Sequence, residues 1–391
     1  MIFVVELQKQ GERHIMVNSG MLQVIRICFP DKHILLTCDN RHASRLREKM
    51  NSFDMINENK IFEYSELELR KIYTINKILR EIKLAWMLFK QAKKLKAEMI
   101  FFMSAFPFTA LFLNSFAKKF HVKTVICQHG DLGVLVLKKK KLTTLFFKFS
   151  IKTFFRLRNF HYVTPLFYGN SIRKKLFELN PRFNSNNTIT IDHPYDYMTV
   201  IPPKKNEFPI SIANIGVAIM IKNSHLIFKL AALCKREIQE NKIYFTQIGN
   251  ISKEVKTYAN QLVRQIYTKS GFIDSEVFEK ALQEANYFIF FYSKNGFYDM
   301  CPSGTFFDAI KYETPIISMH NDFFDYYFDK LGNIGYLCSS LEEMKELIKS
   351  IAYGQKIEEY NLQKNNIKKA KKTLSIDIIA KEFNQQYKNI S

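Results

Sequence analysis

Ser303-Gly304-Thr305, with Pro302 before it and Asp308 one helical turn later, forms the densest group of ligand-binding residue types in this 391-residue chain. An apolar run, YFIFFY, ends in a polar loop that leads into it, and the residues that follow have helical spacing. A helix start offers unpaired backbone N–H groups and the positive end of the helix dipole, which together suit an anion. Gly304 lets the backbone approach a ligand closely, Ser303 and Thr305 add hydroxyl donors, and Asp308 can accept from the hydroxyls of a ribose. A merely Ser-capped helix would use the same residues. Asp299 precedes the group in the loop. Gly216 and Lys222 follow another apolar run, as do Gly249 and Asn250 in the turn QIGN, and Phe272 follows a third. Gln128-His129-Gly130-Asp131 directly follows the run TVIC. At the carboxyl end of a parallel strand, His129 and Asp131 can serve as base, orienting group or hydrogen-bond partner of a polar substrate. Asn18-Ser19-Gly20 reads as a loop ahead of the first helix, with Ser19 and Gly20 as acceptor-loop candidates or as a plain helix cap.

Positioning these groups requires short strands alternating with longer helices. The apolar runs predict strands at 1–7, 33–37, 60–63, 99–103, 124–127, 161–164 and 188–192, with helices at about 20–28, 41–51, 73–97, 107–120, 143–157 and 170–178. After the proline-bearing segment 193–209 a second series begins, with strands at 210–215, 243–248, 266–270, 287–292, 315–318 and 334–338. Its helices are expected at 223–239, 252–266, 275–284, 304–312 and 340–352. This βαβα rhythm predicts two doubly wound, Rossmann-like α/β domains facing across a cleft. The expected division is 1–192, a linker at 193–209, a second domain at 210–352, and a basic helical tail at 353–391 that could pack back on the first domain.

Composition narrows the function classes. Hydrophobic residues make up 47% of the chain, enough for two cores, which excludes a disordered chain. The six cysteines form no CxxC pair, so neither a disulfide framework nor a structural zinc site is expected, and a reducing cytosol fits. The N-terminus lacks the basic start and long apolar core of a signal peptide. Residues 99–117 carry no charge, but Pro107 divides them, so strand–loop–helix is expected there rather than a membrane span.

The net charge of +21 is concentrated in the first half, where residues 1–200 carry 33 basic and 16 acidic side chains. Lys138–Lys141 leads into LTTLFFKFSIKTFFRLRNF. Here Lys148, Lys152 and Arg156 recur every four residues beside Phe147, Ile151, Phe154 and Phe155. That pattern predicts an interfacial helix on an anionic membrane surface, with Phe154 and Phe155 inserted. The stretch from Lys77 to Lys96 has a similar makeup. Such helices more commonly turn their apolar face to a sheet. The charge would also suit nucleic acid, but no nucleic-acid-binding motif accompanies it, and no nucleic-acid partner is expected.

The segment from Gly271 to Ser318 resembles the nucleotide-binding motif of GT-B glycosyltransferases of the family-4 type, which carry two glutamates seven residues apart, then Gly-Thr-Pro-Val-Ile. Anchored on Thr314-Pro315, the resemblance puts Asp308 on the ribose-binding glutamate and Met300 on the other, with Asp299 beside it. Ser303 and Gly304 fall on the loop that holds the donor phosphates. Gly216 matches the family's glycine and Lys222 its phosphate-binding lysine, while Val217 stands where an arginine is usual. Gln247–Asn250 is similar to the family's Val-Gly-Asp-Gly turn, and Gly271-Phe272 to the loop that faces the base. The ordered set spans residues 207–352.

What the resemblance implies is transfer of a sugar from a UDP- or GDP-linked donor to a lipid-linked or surface saccharide, as in polysaccharide, lipopolysaccharide or capsule synthesis. The resemblance leans towards retention of configuration and leaves inversion open. No separate cofactor is implied. No Asp-x-Asp motif is present, so no metal site and metal-independent chemistry are expected, with Lys222 and the Ser303–Thr305 helix start stabilising the leaving diphosphate. The expected location is cytoplasmic and peripheral, on the inner face of the plasma membrane. Other readings are a teichoic-acid-type glycerophosphate transferase, a nucleotide-sugar 2-epimerase, a nucleic-acid binder, and a non-catalytic partner lacking two charged ligands.

Overall fold

Apolar runs in the first half of the chain pair into one parallel sheet. In the computed structural model, residues 1–51, 62–67, 74–138, 141–156, 161–181, 183, 187–197, 208–267 and 273–390 are described. The strands are β1 (Ile2–Glu6), β2 (Ile34–Asp39), β3 (Phe62–Leu67), β4 (Met99–Ser104), β5 (Lys123–Gln128), β6 (Val163–Tyr168) and β7 (Ile189–Ile191), ordered β3-β2-β1-β4-β5-β6-β7. Ile2 of central β1 lies opposite Ile34 of β2 and Met99 of β4. Side chains alternate across a strand. Phe3 and Val5, with Ile100 and Phe102, therefore enter one core, while Ile2 and Val4, with Met99 and Phe101, enter the other. Two-sided burial explains why the strands read as nearly unbroken apolar runs.

Among the described residues of the first half, this sheet is accompanied by α1 (Ile15–Cys28), α2 (Asn40–Asn51), α3 (Thr74–Lys94), α4 (Pro107–Phe120), α5 (Leu142–Arg156) and α6 (Asn170–Leu179). Residues of α3 to α6 fill the first core and residues of α1 and α2 the second. Pro107 occupies the first turn of α4, where its missing N–H costs nothing. Glu81 of α3 is buried beneath that helix start. Its carboxylate accepts hydrogen bonds from the Phe106 N–H (3.1 Å) and from the Gln8 side chain (3.1 Å).

A second parallel sheet contains β8 (Ile210–Ile215), β9 (Ile243–Ile248), β10 (Val263–Ile266), β11 (Tyr287–Phe290), β12 (Ile316–Met319) and β13 (Gly335–Cys338), in the order β10-β9-β8-β11-β12-β13. Its helices are α7 (Leu226–Leu233), α8 (Lys235–Gln239), α9 (Lys253–Lys256), α10 (Ser275–Glu284), α11 (Gly304–Lys311), α12 (Asp322–Leu331), α13 (Leu341–Ala352) and α14 (Ile357–Thr373). The final helix, α15 (Ile376–Ile390), packs on α1 and β7. The Gln386 side chain of α15 pairs with the open edge of β7, accepting from Thr190 N and donating to Thr190 O, both at 2.8 Å. One compact unit thus comprises Met1–Asp196, Met300–Pro302 and Leu374–Ser391, the other Tyr197–Asp299 and Ser303–Thr373. The expected tail is two elements, with α14 in the second unit and α15 in the first.

Three expectations are corrected. Helix α1 starts at Ile15, so Ser19 and Gly20 lie inside a helix and not in a loop before it. Both are buried: Ser19 Oγ donates to Met16 O (3.1 Å), and a Cβ on Gly20 would lie 2.8 Å from Pro194 O, so glycine admits the Pro194 backbone. The expected helix at 252–266 stops at Lys256, because Val263–Ile266 pairs with β9 as an edge strand. Phe154 and Phe155 point inward, at 2% and 1% exposure, and fill the core between α5 and the sheet. They are unavailable to a membrane. Among the described residues, no helix is long and apolar enough to cross a membrane, and residues 99–117 form β4 and α4.

Candidate functional site

In the second unit, Gly216 and Gly249 end the adjacent strands β8 and β9 in left-handed conformations, with φ of 85° and 127°. A side chain on Gly249 would run into the Gly216 carbonyl oxygen, so glycine is needed for this close approach. Gln247 donates to the same carbonyl at 2.8 Å. A 3₁₀ turn, Met220–Lys222, then returns Lys222 to this spot. A Cβ on Gly216 would sit 3.2 Å from Lys222 Nζ and 3.5 Å from Thr305 Cγ2. Lysine, glycine and the α11 start therefore converge, although they lie almost 90 positions apart in sequence.

Ser303 occupies the N-cap position of α11 but its side chain does not cap the helix. Its Oγ instead lies 3.0 Å from Thr305 Oγ1 and 3.1 Å from the Tyr292 hydroxyl. Tyr292 stacks on Tyr298 at 4.0 Å between ring centroids, and the Lys222 ammonium lies 5.9 Å from the Tyr298 centroid. The result is a hydroxyl cluster at a helix N-terminus beside an ammonium, with the donors and charge that a phosphate requires. Among the described residues, a Cβ on Gly304 would meet no neighbour, which leaves the start of α11 open on that side. Asp308 lies half-buried one turn along α11.

Other sequence candidates fall differently. Asp299 is fully buried and its Oδ1 accepts from the Asp322 N–H (3.0 Å), which places this carboxylate at the start of α12. Met300 is buried and Val217 is half exposed. Asn250 closes the turn after β9, its carbonyl accepting from the Ala218 N–H at 2.8 Å. Phe272 lies outside the described residues, as do Lys139, Lys140, most of the expected linker and the 268–270 part of the expected strand.

The first unit holds a second polar group at the carboxyl edge of its sheet. His129 follows β5 and Asp131 lies in the 3₁₀ turn Gly130–Val136. The His129 ring is 4.4 Å from that of His14 and 5.8 Å from that of His193, centroid to centroid. Burial, reinforced by neighbouring histidines and Lys9, pushes His129 well below the ordinary imidazole range. Burial likewise lowers His14 to about 2 and His193 to about 3. These imidazoles are neutral at physiological pH, so His129 is equipped to give or accept a hydrogen bond rather than to store a proton. Burial also raises the Asp131 carboxyl.

His14, His193 and Lys9 were missed in the sequence because they sit in irregular segments. His14 takes a left-handed conformation at the α1 N-cap, φ 64°. Glu6, at the end of β1, anchors this loop by accepting from Gln8 N (2.9 Å), Lys9 N (3.1 Å) and Ser104 Oγ (2.6 Å). On α5 the apolar residues facing outward are Leu142, Leu145, Phe146 and Phe149, with Lys152 and Arg156 exposed on the same helix and Lys141 exposed just before it. Lys148 instead folds back to the Leu137 carbonyl at 2.6 Å.

No protein-family model matches the sequence, and no curated protein is significantly similar to it. Solved structures do match over essentially the whole chain. An Anabaena protein, HepE, in complex with UDP-glucose superposes with a TM-score of 0.69 at 10% identity, over 99% of both chains. A glycosyltransferase from Rickettsia africae ESF-5 gives 0.66 at 13% identity, over 100% of this chain and 98% of the other. WaaG, a glycosyltransferase involved in lipopolysaccharide biosynthesis, gives 0.65 at 10% identity, over 98% and 99%. The chain has the GT-B glycosyltransferase fold, with two parallel sheets and surrounding helices.

Proposed function

We propose that this protein is a glycosyltransferase that moves a sugar from a nucleotide-diphospho-sugar to a lipid-linked or surface saccharide. The observation that carries this reading is the convergence of Lys222, Gly216 and the Ser303–Thr305 hydroxyls at the start of α11. In the reaction, the Lys222 ammonium and the α11 N–H groups would take up the charge that develops on the departing diphosphate, supplying positive charge without a metal ion. Asp308 would hold the ribose. The neutral His129 would hydrogen-bond a sugar hydroxyl, beside Asp131. The UDP and UDP-glucose bound by the Anabaena neighbour support a uridine nucleotide donor.

We place its action at a membrane surface on the cytoplasmic side; the membrane contact is supported by the exposed Leu145 and Phe149 of α5, which accompany Lys152 and Arg156 on the same helix and Lys141 just before it. Apolar side chains among basic ones suit an anionic bilayer surface.

A panel of UDP- and GDP-sugars, scored by thermal shift and then by donor hydrolysis, tests the donor assignment. At a hundredfold excess over Kd a bound donor adds about 2.7 kcal/mol of stability. One nucleotide sugar should shift the transition and be slowly hydrolysed. No shift with any member of the panel would remove the donor assignment.

A further inference from the structure

The first unit contains a cleft between α5, α6 and the 3₁₀ turn Gly130–Val136, lined by none of the donor-site candidates. We propose that this cleft takes one alkyl chain of an anionic membrane lipid, with the lipid's head group held at Lys152. The cleft encloses about 340 Å³, mouth included, within the roughly 300–1,000 Å³ usual for a ligand pocket. Leu135, Ile151, Phe155 and Leu176 form its apolar walls, and Leu179, 41% exposed, stands at its rim. The walls are braced from behind. Phe155 packs edge-on against Phe183 at 4.8 Å between ring centroids, and Phe177 of α6 packs on the same ring at 4.9 Å. The chain would therefore come to Phe155, while Phe155 stays in the core.

Two polar groups say what kind of chain enters. Asn180 lines the cleft at 7% exposure, and its side-chain nitrogen makes no hydrogen bond among the described residues. Its backbone closes α6, the N–H donating to Leu176 O (2.9 Å) and the carbonyl accepting from Phe183 N (2.9 Å). A buried donor without a partner is costly, and an ester or phosphate oxygen of the lipid would satisfy it. Lys152 also lines the cleft, is exposed, and makes no ion pair among the described residues. Arg156, one turn on, is a further exposed cation, whereas Glu178 of α6 is paired with Lys175 at 3.4 Å. The rim is thus basic, as an anionic head group requires. Lys152 lies three residues after Phe149 and seven after Leu145, so it shares a helix face with these exposed apolar side chains. The cleft therefore opens beside the strip of α5 that suits a bilayer surface, which makes a bilayer lipid the source of the chain. That source rests on the membrane-surface reading of α5; the cleft and its chemistry do not.

Calorimetry on the full chain tests the cleft, with alkyl phosphates from butyl to dodecyl, each below its micelle concentration, and decyl maltoside as the uncharged probe. Each added methylene should tighten binding by up to about fourfold, as burial of a CH₂ group gives, until the cleft is full and the affinity levels off. Decyl phosphate should bind at least tenfold more tightly than decyl maltoside, and Lys152→Gln should erase that preference. Leu179→Asp, at an exposed position, should weaken decyl phosphate at least tenfold without moving the melting temperature, and Asn180→Leu should weaken it about fivefold. Sedimentation with vesicles of phosphatidylcholine and phosphatidylglycerol tests the source, and Leu179→Asp should reduce it. An affinity independent of chain length would overturn the inference, as would wild-type affinity in both Leu179→Asp and Asn180→Leu. Wild-type protein that binds decyl phosphate in this way but does not sediment with the vesicles would instead overturn the bilayer source, and with it the membrane-surface reading of α5.

Discussion

Lowering the pH from 7.5 to 5 should destabilise the first unit, and Glu81→Gln should steepen that loss. His14 and His193 are lowered from 6.5 to about 2 and about 3, chiefly by burial. In the unfolded chain both titrate near 6.5, so below that pH the unfolded chain binds protons that the folded unit refuses. Stability therefore falls with pH through this window. At pH 5 both depressed values still lie below the solution pH, so the loss depends only on the unfolded value. It amounts to about 2 kcal/mol per histidine, or about 4 for the pair.

Glu81 works in the opposite direction. Burial raises it from 4.5 to about 7, so the folded unit takes up this proton first and gains stability as pH falls from 7 towards 4.5. Its gain at pH 5, relative to pH 7.5, is about 2.4 kcal/mol. The three groups together leave a net loss of about 1.6 kcal/mol in the wild-type protein and about 4 in Glu81→Gln. His129, lowered by burial, adds to the loss, and Asp131, raised by burial, opposes it.

Urea unfolding followed by tryptophan emission reads this directly. The chain has one tryptophan, Trp86, and it lies in α3 of the first unit. Identical pH dependences in the two proteins would refute a raised Glu81. A Glu81→Gln protein as stable at pH 5 as at pH 7.5 would refute the buried neutral histidines.

Three other outcomes are expected. Lys222→Ala should weaken UDP binding at least tenfold by calorimetry, and Asp308→Ala should weaken UDP but not pyrophosphate; unchanged affinities would dissociate α11 from the nucleotide. EDTA should leave sugar transfer nearly unchanged, and complete loss restored by manganese would contradict charge stabilisation by Lys222. Leu145→Ser with Phe149→Ser should reduce sedimentation with anionic vesicles while leaving the melting temperature in place, whereas Phe154→Ala should cost about 3–5 kcal/mol of stability through a core cavity. The reverse pattern would mean that α5 buries the other face.

Sequence alone determined the α/β class, because two-sided burial writes a parallel strand as a short apolar run and the turn after it as a polar one. YFIFFY, ISIANI and TVIC are legible for that reason. The hydroxyls of Ser303 and Thr305, here proposed to meet a phosphate, were legible too, since a helix start fixes its chemistry within a few neighbouring positions. Tertiary structure decided what local patterns leave open. The side of α5 that meets the sheet could not be read off, because both of its faces are rich in phenylalanine, and only the packing against β5 and β6 turned Phe154 and Phe155 inward and Phe149 outward. Ser19 and Gly20 looked like a loop because their residue types disfavour helix interiors; the approach of Pro194 makes glycine necessary inside α1. Lys222 reaches Thr305, and His14 reaches His129, only through strand order, since β8 neighbours β11 and only β4 separates β1 from β5. Contacts across some 80 to 115 residues leave no periodic trace in the sequence, because they arise from sheet pairing and not from the spacing of residues along any one element.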